Sequence, residues 1–231
     1  MQTPLNRKAQ VTTQKIEKEF TYESVLMLTL DIAYPQIRLK NDASVQNQIN
    51  RHYRREARRF LSYAKNELLQ GAIAEYKDSR QNGFPFRPYD AVMEYTVSLN
   101  DDCILSTYAD HYEYTGGAHG STTRFSDSWE LRTGYRIRMR DLFTRRENYR
   151  RAVLEQILMQ ADEQMQENPG IFFEDYRTLI IKYFDPESFY LTPSGIAVYY
   201  QQYEIGPYAS GIIVFDIPYA SLGIKKPGCS E

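Results

Sequence analysis

The stretch Tyr112-Glu-Tyr-Thr-Gly-Gly-Ala-His-Gly120 constrains this chain more than any other. An alternating aromatic run reads as a half-buried strand, and a glycine pair then forces the backbone into a special loop. The sequence before it has a strand–helix–strand rhythm, and the sequence after it forms a second half. The loop carries one of only three histidines.

A chain of 231 residues, 42% hydrophobic and 25% charged, is long enough to bury a sizeable core. Its 20 tyrosines are an unusual complement. Tyrosine suits half-buried strands and contact surfaces, because the ring packs while the hydroxyl reaches water. A formal net charge of −2 argues against a dedicated nucleic-acid binder, which usually carries a clear basic excess. Two cysteines, Cys103 and Cys229, are too few for a disulfide scaffold. A bridge would require the terminal Lys-Lys-Pro-Gly-Cys tail to fold back, so free thiols are expected. The N-terminus lacks the apolar core of a signal peptide, and no stretch approaches the ~20 apolar residues that span a bilayer. As written the chain reads as cytoplasmic, unless an export or anchoring segment lies outside it.

In order, residues 1–17 are polar and are expected to form a loose lead-in. Phe20–Tyr34 reads as one long central strand that Pro35 breaks. Asn41, Asp42 and Ser44 offer N-caps, and Val45, Ile49, Tyr53, Ala57, Phe60, Leu61, Ala64 and Leu68 then recur at helical spacing. The predicted helix runs to about Tyr76, with Leu61 in its buried face. The arginines Arg51, Arg54, Arg55, Arg58 and Arg59 read as a solvated face. Strands are predicted at Tyr89–Asn100, Cys103–Tyr114 and Ser121–Leu131, followed by a turn at Gly134 and a further segment at Arg136–Arg140. A helix is expected from Arg146 to about Gln166, with a shorter one near residues 172–184. A hairpin about Gly195 and a last strand, Ile212–Ile217, complete the chain. Strands grouped around separated helices predict an α+β fold, a mixed or antiparallel sheet covered by helices, in two intimately packed subdomains. The expected boundaries are 18–115 and 116–222, with flexible tails at 1–17 and 223–231.

The chemistry-bearing residues are few. The glycine loop is a weak phosphate cradle, since strand-like rather than helical sequence follows it. No serine or cysteine elbow accompanies His119, and His111, His119 and Asp110 do not follow a recognised metal spacing. The expectation is therefore no catalytic residue, no metal and no cofactor, with His119 pinning its own loop. A second special loop, Tyr203-Glu-Ile-Gly-Pro-Tyr-Ala-Ser-Gly211, carries a stiffening proline and a large amphipathic ring. Partner contacts are expected at Tyr114, Gly116, Gly117, His119, Pro207 and Tyr208.

Four motifs in order carry a resemblance: the Tyr-x-Tyr-Thr-Gly-Gly-Ala-His-Gly loop, Leu131-x-Thr-Gly-x-x-Ile-x-Met-x-Asp-Leu-Phe143, Phe189-Tyr-Leu-Thr-x-x-Gly-Ile, and the 203–211 loop. Together they resemble the domain family of the extracytoplasmic region of the lysozyme-sensing anti-sigma factor RsiV. A similar module precedes the catalytic domain of the peptidoglycan deacetylase PdaC. The resemblance implies an α+β fold, an envelope-facing location and capture of lysozyme as a protein ligand. A cell-wall glycan-binding accessory module is the alternative, and a small hydrolase using His119 a third reading. The chain lacks the membrane helix and sigma-binding segment of RsiV and the deacetylase domain of PdaC, so at most ligand binding carries over.

Overall fold

The computed structural model describes residues 7–40, 42–144 and 148–229. Residues 1–6 of the expected lead-in, the candidate cap Asn41, the predicted helix start at Arg146 and the last two residues of the tail lie outside the described residues. Among the described residues, two sheets and four α-helices make an α+β fold. Strands β1 (Gln10–Tyr22), β2 (Val25–Arg38), β3 (Tyr89–Asp101), β4 (Ile104–Tyr114), β5 (Ser121–Glu130) and β6 (Tyr135–Arg136) follow in spatial order in the larger sheet. Strands β7 (Phe189–Leu191), β8 (Gly195–Tyr200) and β9 (Ile213–Pro218) form the smaller, antiparallel one.

The chain divides into two compact units, one of Gln10–Tyr95 with Ala109–Thr122, the other of Met1–Ala9, Thr96–Tyr108 and Thr123–Glu231. Strands β3, β4 and β5 contribute residues to both.

In the first unit, helix α1 (Ala43–Tyr63) starts where the Asp42 side chain accepts the Val45 N–H at 3.1 Å. A π-helical turn, Ala64–Leu68, joins it directly to α2 (Leu69–Asn82). The predicted apolar face is the buried one: Ile49, Ala57, Ala64 and Ala72 are fully enclosed, and Leu61 is half-buried beside them. This face packs on Met27, Leu28, Leu30 and Ile32 of β2 and on Ala91 and Met93 of β3. Small residues at 57, 64 and 72 let the helix approach the sheet closely, while Phe60 and Leu68 fill the gaps between them. Strands β2 and β3 run parallel, with Leu28 opposite Tyr89, as a helical crossover requires.

The sequence reading of Phe20–Tyr34 as one strand is corrected here. The chain turns at Glu23-Ser24, both at positive φ (49° and 63°), so Gln10–Tyr22 and Val25–Arg38 form a hairpin. Two left-handed residues are the mark of a tight hairpin turn whose twist matches its strands. Such turns favour Asn-Gly, and Glu-Ser gives no such signal. The expected loose lead-in is thus β1 from Gln10 onward. Pro35 does not end β2, which continues to Arg38. It lies beyond the Leu28–Ile32 stretch paired to β3, on a length of strand where the β3 side makes no ladder.

In the second unit, α3 (Tyr149–Glu167) and α4 (Tyr176–Tyr183) cover the smaller sheet. Val153, Ile157, Ala161 and Ile180 meet Ile196, Val198, Phe215 and Ile217 in one core. Tyr200 is enclosed within it and donates its hydroxyl to the Ile180 carbonyl at 2.9 Å.

The expected free thiols are also corrected: Cys103 and Cys229 form a disulfide. The β3–β4 turn, Asp102-Cys103, again takes two positive-φ residues. The tail returns to it, with Lys226 on Asp101 at 3.1 Å and the Cys229 N–H donated to Asp102. The expected flexible tail is therefore tied down as far as Cys229. Closing a loop of 126 residues restricts the unfolded chain, so reduction, or Cys229→Ser, should cost about 2–4 kcal/mol of stability. Denaturant unfolding with and without dithiothreitol measures this directly. Equal midpoints would show that the bridge contributes nothing.

Candidate functional site

Tyr114, Gly116, Gly117 and His119 fall in the first unit, at the end of β4 and in the loop that follows it. Gly116 and Gly117 have φ near +87° and +85°, where L side chains are strained. A Cβ at Gly116 would sit 2.9 Å from a carboxylate oxygen of Glu75, which that flexible side chain could relieve by moving, so it is the positive φ that favours glycine there. The Tyr114 hydroxyl donates to the Gly117 carbonyl at 3.1 Å, tying the strand end to the loop. The exposed His119 places Nδ1 3.2 Å from the carbonyl of the adjacent Gly120.

A set of tyrosine–carboxylate pairs lies beside this loop. Tyr63 donates to Glu113 at 3.0 Å, and Tyr89 donates to Glu75 at 2.7 Å. Burial, then the bond to its carboxylate, pushes each phenol up to about 12. Burial likewise raises the Glu113 carboxyl, against the pull of the Tyr63 hydroxyl. His111 packs on Phe60 with ring centroids 4.4 Å apart, and burial lowers its imidazole to about 4 despite the nearby Asp110. Among the described residues no group of three His, Cys, Asp or Glu side chains is arranged to hold a metal. A shallow groove of about 500 Å³ lies elsewhere on this unit, between Glu17, Glu19, Thr29, Asp31 and Asp90.

Pro207 and Tyr208 belong to the second unit. Their loop is braced throughout. The Gln201 N–H donates to Glu204 at 2.7 Å, the Phe173 N–H to Ile205 at 3.0 Å, and the Ser210 hydroxyl to Ile171 at 2.6 Å. Gly206 passes so close to the Ile171 carbonyl that a Cβ would stand 2.5 Å from it. The Gln201 side chain spans the Arg124 backbone, accepting from its N–H at 2.9 Å and donating to its carbonyl at 2.7 Å. The Arg124 guanidinium in turn lies 4.1 Å over the Tyr108 ring.

This bracing presents a residue that the sequence reading passed over. Tyr203 is 53% exposed, has φ of 67°, and holds its ring 6.0 Å from that of Tyr208. A bulky side chain in the left-handed region is rare and costs energy, and such strain concentrates at binding sites. Nothing in the letters around position 203 signals it, because the conformation is imposed by the bonds on either side.

Residues 9–122 match the family model described as deacetylase PdaC, and residues 140–220 match that of DUF3298, a protein family of unknown function. No curated protein matches the sequence. The chain is similar to a solved DUF3298 family member from Bacteroides fragilis, at 18% identity and a TM-score of 0.70, covering 93% of this chain and 92% of that one. It is also similar to a DUF3298 family protein from Pseudomonas aeruginosa, at 17% identity and a TM-score of 0.60, covering 94% and 95%. These likenesses extend over nearly the whole fold.

Two tests address the glycine-loop unit. The neutral His111 of the folded state, at about 4, binds fewer protons than the unfolded imidazole near its ordinary 6.5. Its contribution to stability is therefore complete above pH ~6.5 and is lost as pH falls toward ~4. The stability difference between the protein and His111→Phe should shrink and then reverse over that window, as read by urea unfolding at several pH values; a pH-independent difference would exclude it. His119→Gln should lower the melting temperature by a few degrees by loosening the loop. An unchanged melting temperature would show that the imidazole does not hold the loop. Residues 9–122 are thus similar to the PdaC family model and residues 140–220 to that of DUF3298, and the structural likenesses over nearly the full length show that the fold is shared with DUF3298 proteins.

Proposed function

We propose that this protein is a non-enzymatic binding module of the cell envelope, and that lysozyme is its ligand. The observation that carries this reading is the braced 203–211 loop, which holds the exposed Tyr203, at positive φ, beside the half-buried ring of Tyr208. A preorganised loop loses little entropy on binding, and exposed tyrosines dominate interface energetics. The matched families support an accessory role, since one is named for a deacetylase and the other has no assigned function. The Cys103–Cys229 disulfide supports an oxidising compartment, where such bonds persist. Among the described residues no helix is long and apolar enough to cross a membrane.

Lysozyme fits as a basic protein meeting a chain of net charge −2. In this reading Pro207 and Tyr208, with Tyr203, form the contact on the second unit. Tyr114, Gly116, Gly117 and His119 shape a contact surface on the first. Tyr203→Ala and Tyr208→Ala should each weaken lysozyme binding by about 1–3 kcal/mol without unfolding the domain. Titration calorimetry decides it. No heat at high micromolar lysozyme removes this ligand and leaves a cell-wall glycan, whose sugar faces also stack on tyrosine, as the next to titrate. Binding that both variants retain keeps lysozyme but moves the contact off this loop.

A further inference from the structure

β1 ends the larger sheet, and among the described residues no strand pairs with its free side. At 13 residues it is about twice the usual strand length, and its ladder to β2 is regular from Gln10 to Phe20, where the register shifts. Long regular edges are templates for a further strand unless something blunts them.

We propose that this edge pairs with β1 of a second copy of this chain, antiparallel and centred on Ile16. The argument is one of register. A twofold axis normal to the sheet keeps each pleat face common to both copies, so the only allowed registers set one residue opposite itself. Centring on Lys15, Glu17, Lys18 or Glu19 sets like charges face to face. Centring on Gln14 sets Lys15 opposite Thr13 and Glu17 opposite Val11, with no complement for either charge. Centring on Ile16 sets Ile16 against Ile16, Lys15 against Glu17 of the second copy twice over, Gln14 against Lys18, and Thr13 against Glu19. Only this register joins a β-branched apolar pair to two opposite-charge pairs without opposing like charges.

The sheet beside the edge supplies an independent reason. Glu17 stands directly opposite Asp31 in the β1–β2 register, a like-charge pair in a groove that Lys18, Glu19 and Asp90 also line. Lys15 already reaches Glu17 of its own chain at 3.4 Å, but both side chains are about 60% exposed and the contact is weak. In the proposed pairing Lys15 of the second copy enters the row Glu17–Asp31 from the open side and offsets that repulsion. The occupant is thus a second copy, with its own cation in the position the acidic row lacks.

Sedimentation velocity on the full chain, from low to high micromolar, tests this. A concentration-dependent dimer is expected. Lys15→Glu and Glu17→Lys should each weaken it by about tenfold, because two attractive pairs per dimer become repulsive. The double variant K15E/E17K should restore association, since the swap regenerates both pairs. Both positions are exposed, so the fold tolerates each change. A monomer at every concentration overturns the proposal and leaves the edge to a strand from another protein. A dimer indifferent to either single variant, or one that the double variant fails to restore, overturns the register and with it the proposed pairing.

Discussion

The burial of one helical face against β2 is the constraint on which the first unit depends. Met27, Leu28, Leu30 and Ile32 have no exposure worth the name, and the helical partners that enclose them include three alanines. Close approach of that kind fixes both the depth and the direction of the crossover from β2 to β3. The parallel pairing of Leu28–Ile32 with Tyr89–Met93 follows from it. So does the placement of Tyr63 on α1, which bonds Glu113, and of Glu75 on α2, which lies beside Gly116. The π-helical turn at Ala64–Leu68 lies between those two side chains and resets the helical phase there.

The second unit solves a different problem. Its loop at 203–211 has no regular ladder, and its backbone groups are met one by one from neighbouring segments. That is the costly way to order a loop, because each bond must outweigh the entropy of fixing the residues around it. The result is a pair of tyrosine rings, Tyr203 and Tyr208, held 6.0 Å apart. The disulfide works in the same sense at the β3–β4 turn, where Lys8 and Lys226 both meet Asp101 and the tail is bonded to Cys103.

Both sets of contacts show why the exposed polar residues of this chain should be read as neighbours in space. Glu17 and Asp31 are 14 positions apart yet opposite in the sheet, and the Gln201 side chain bonds the Arg124 backbone across 77 positions. The chemistry of a surface of this kind is decided by register.

The sequence by itself determined the α+β class, a helix to about Tyr76 through its apolar spacing, and strands at Tyr89, Ser121 and Ile212 through alternation and flanking turns; the structure carries the helical stretch on to Asn82 through a π-helical turn and starts the last strand at Ile213. It also marked both loops, because glycine at 116, 117 and 206 and proline at 207 are local signals of local backbone needs. Tertiary structure alone decided the rest. The β1–β2 hairpin turns on Glu23-Ser24, residues with no turn signature, so only pairing with β2 reveals β1. The disulfide depends on a tail returning across 126 positions, a distance no spacing rule reports. Tyr203 takes its strained conformation from bonds made on either side of it, and Glu75 meets Gly116 only because helix and loop are folded together. Periodicity encodes what a segment does with its own backbone, whereas register, closure and strain belong to pairs of segments and exist only once both are in place.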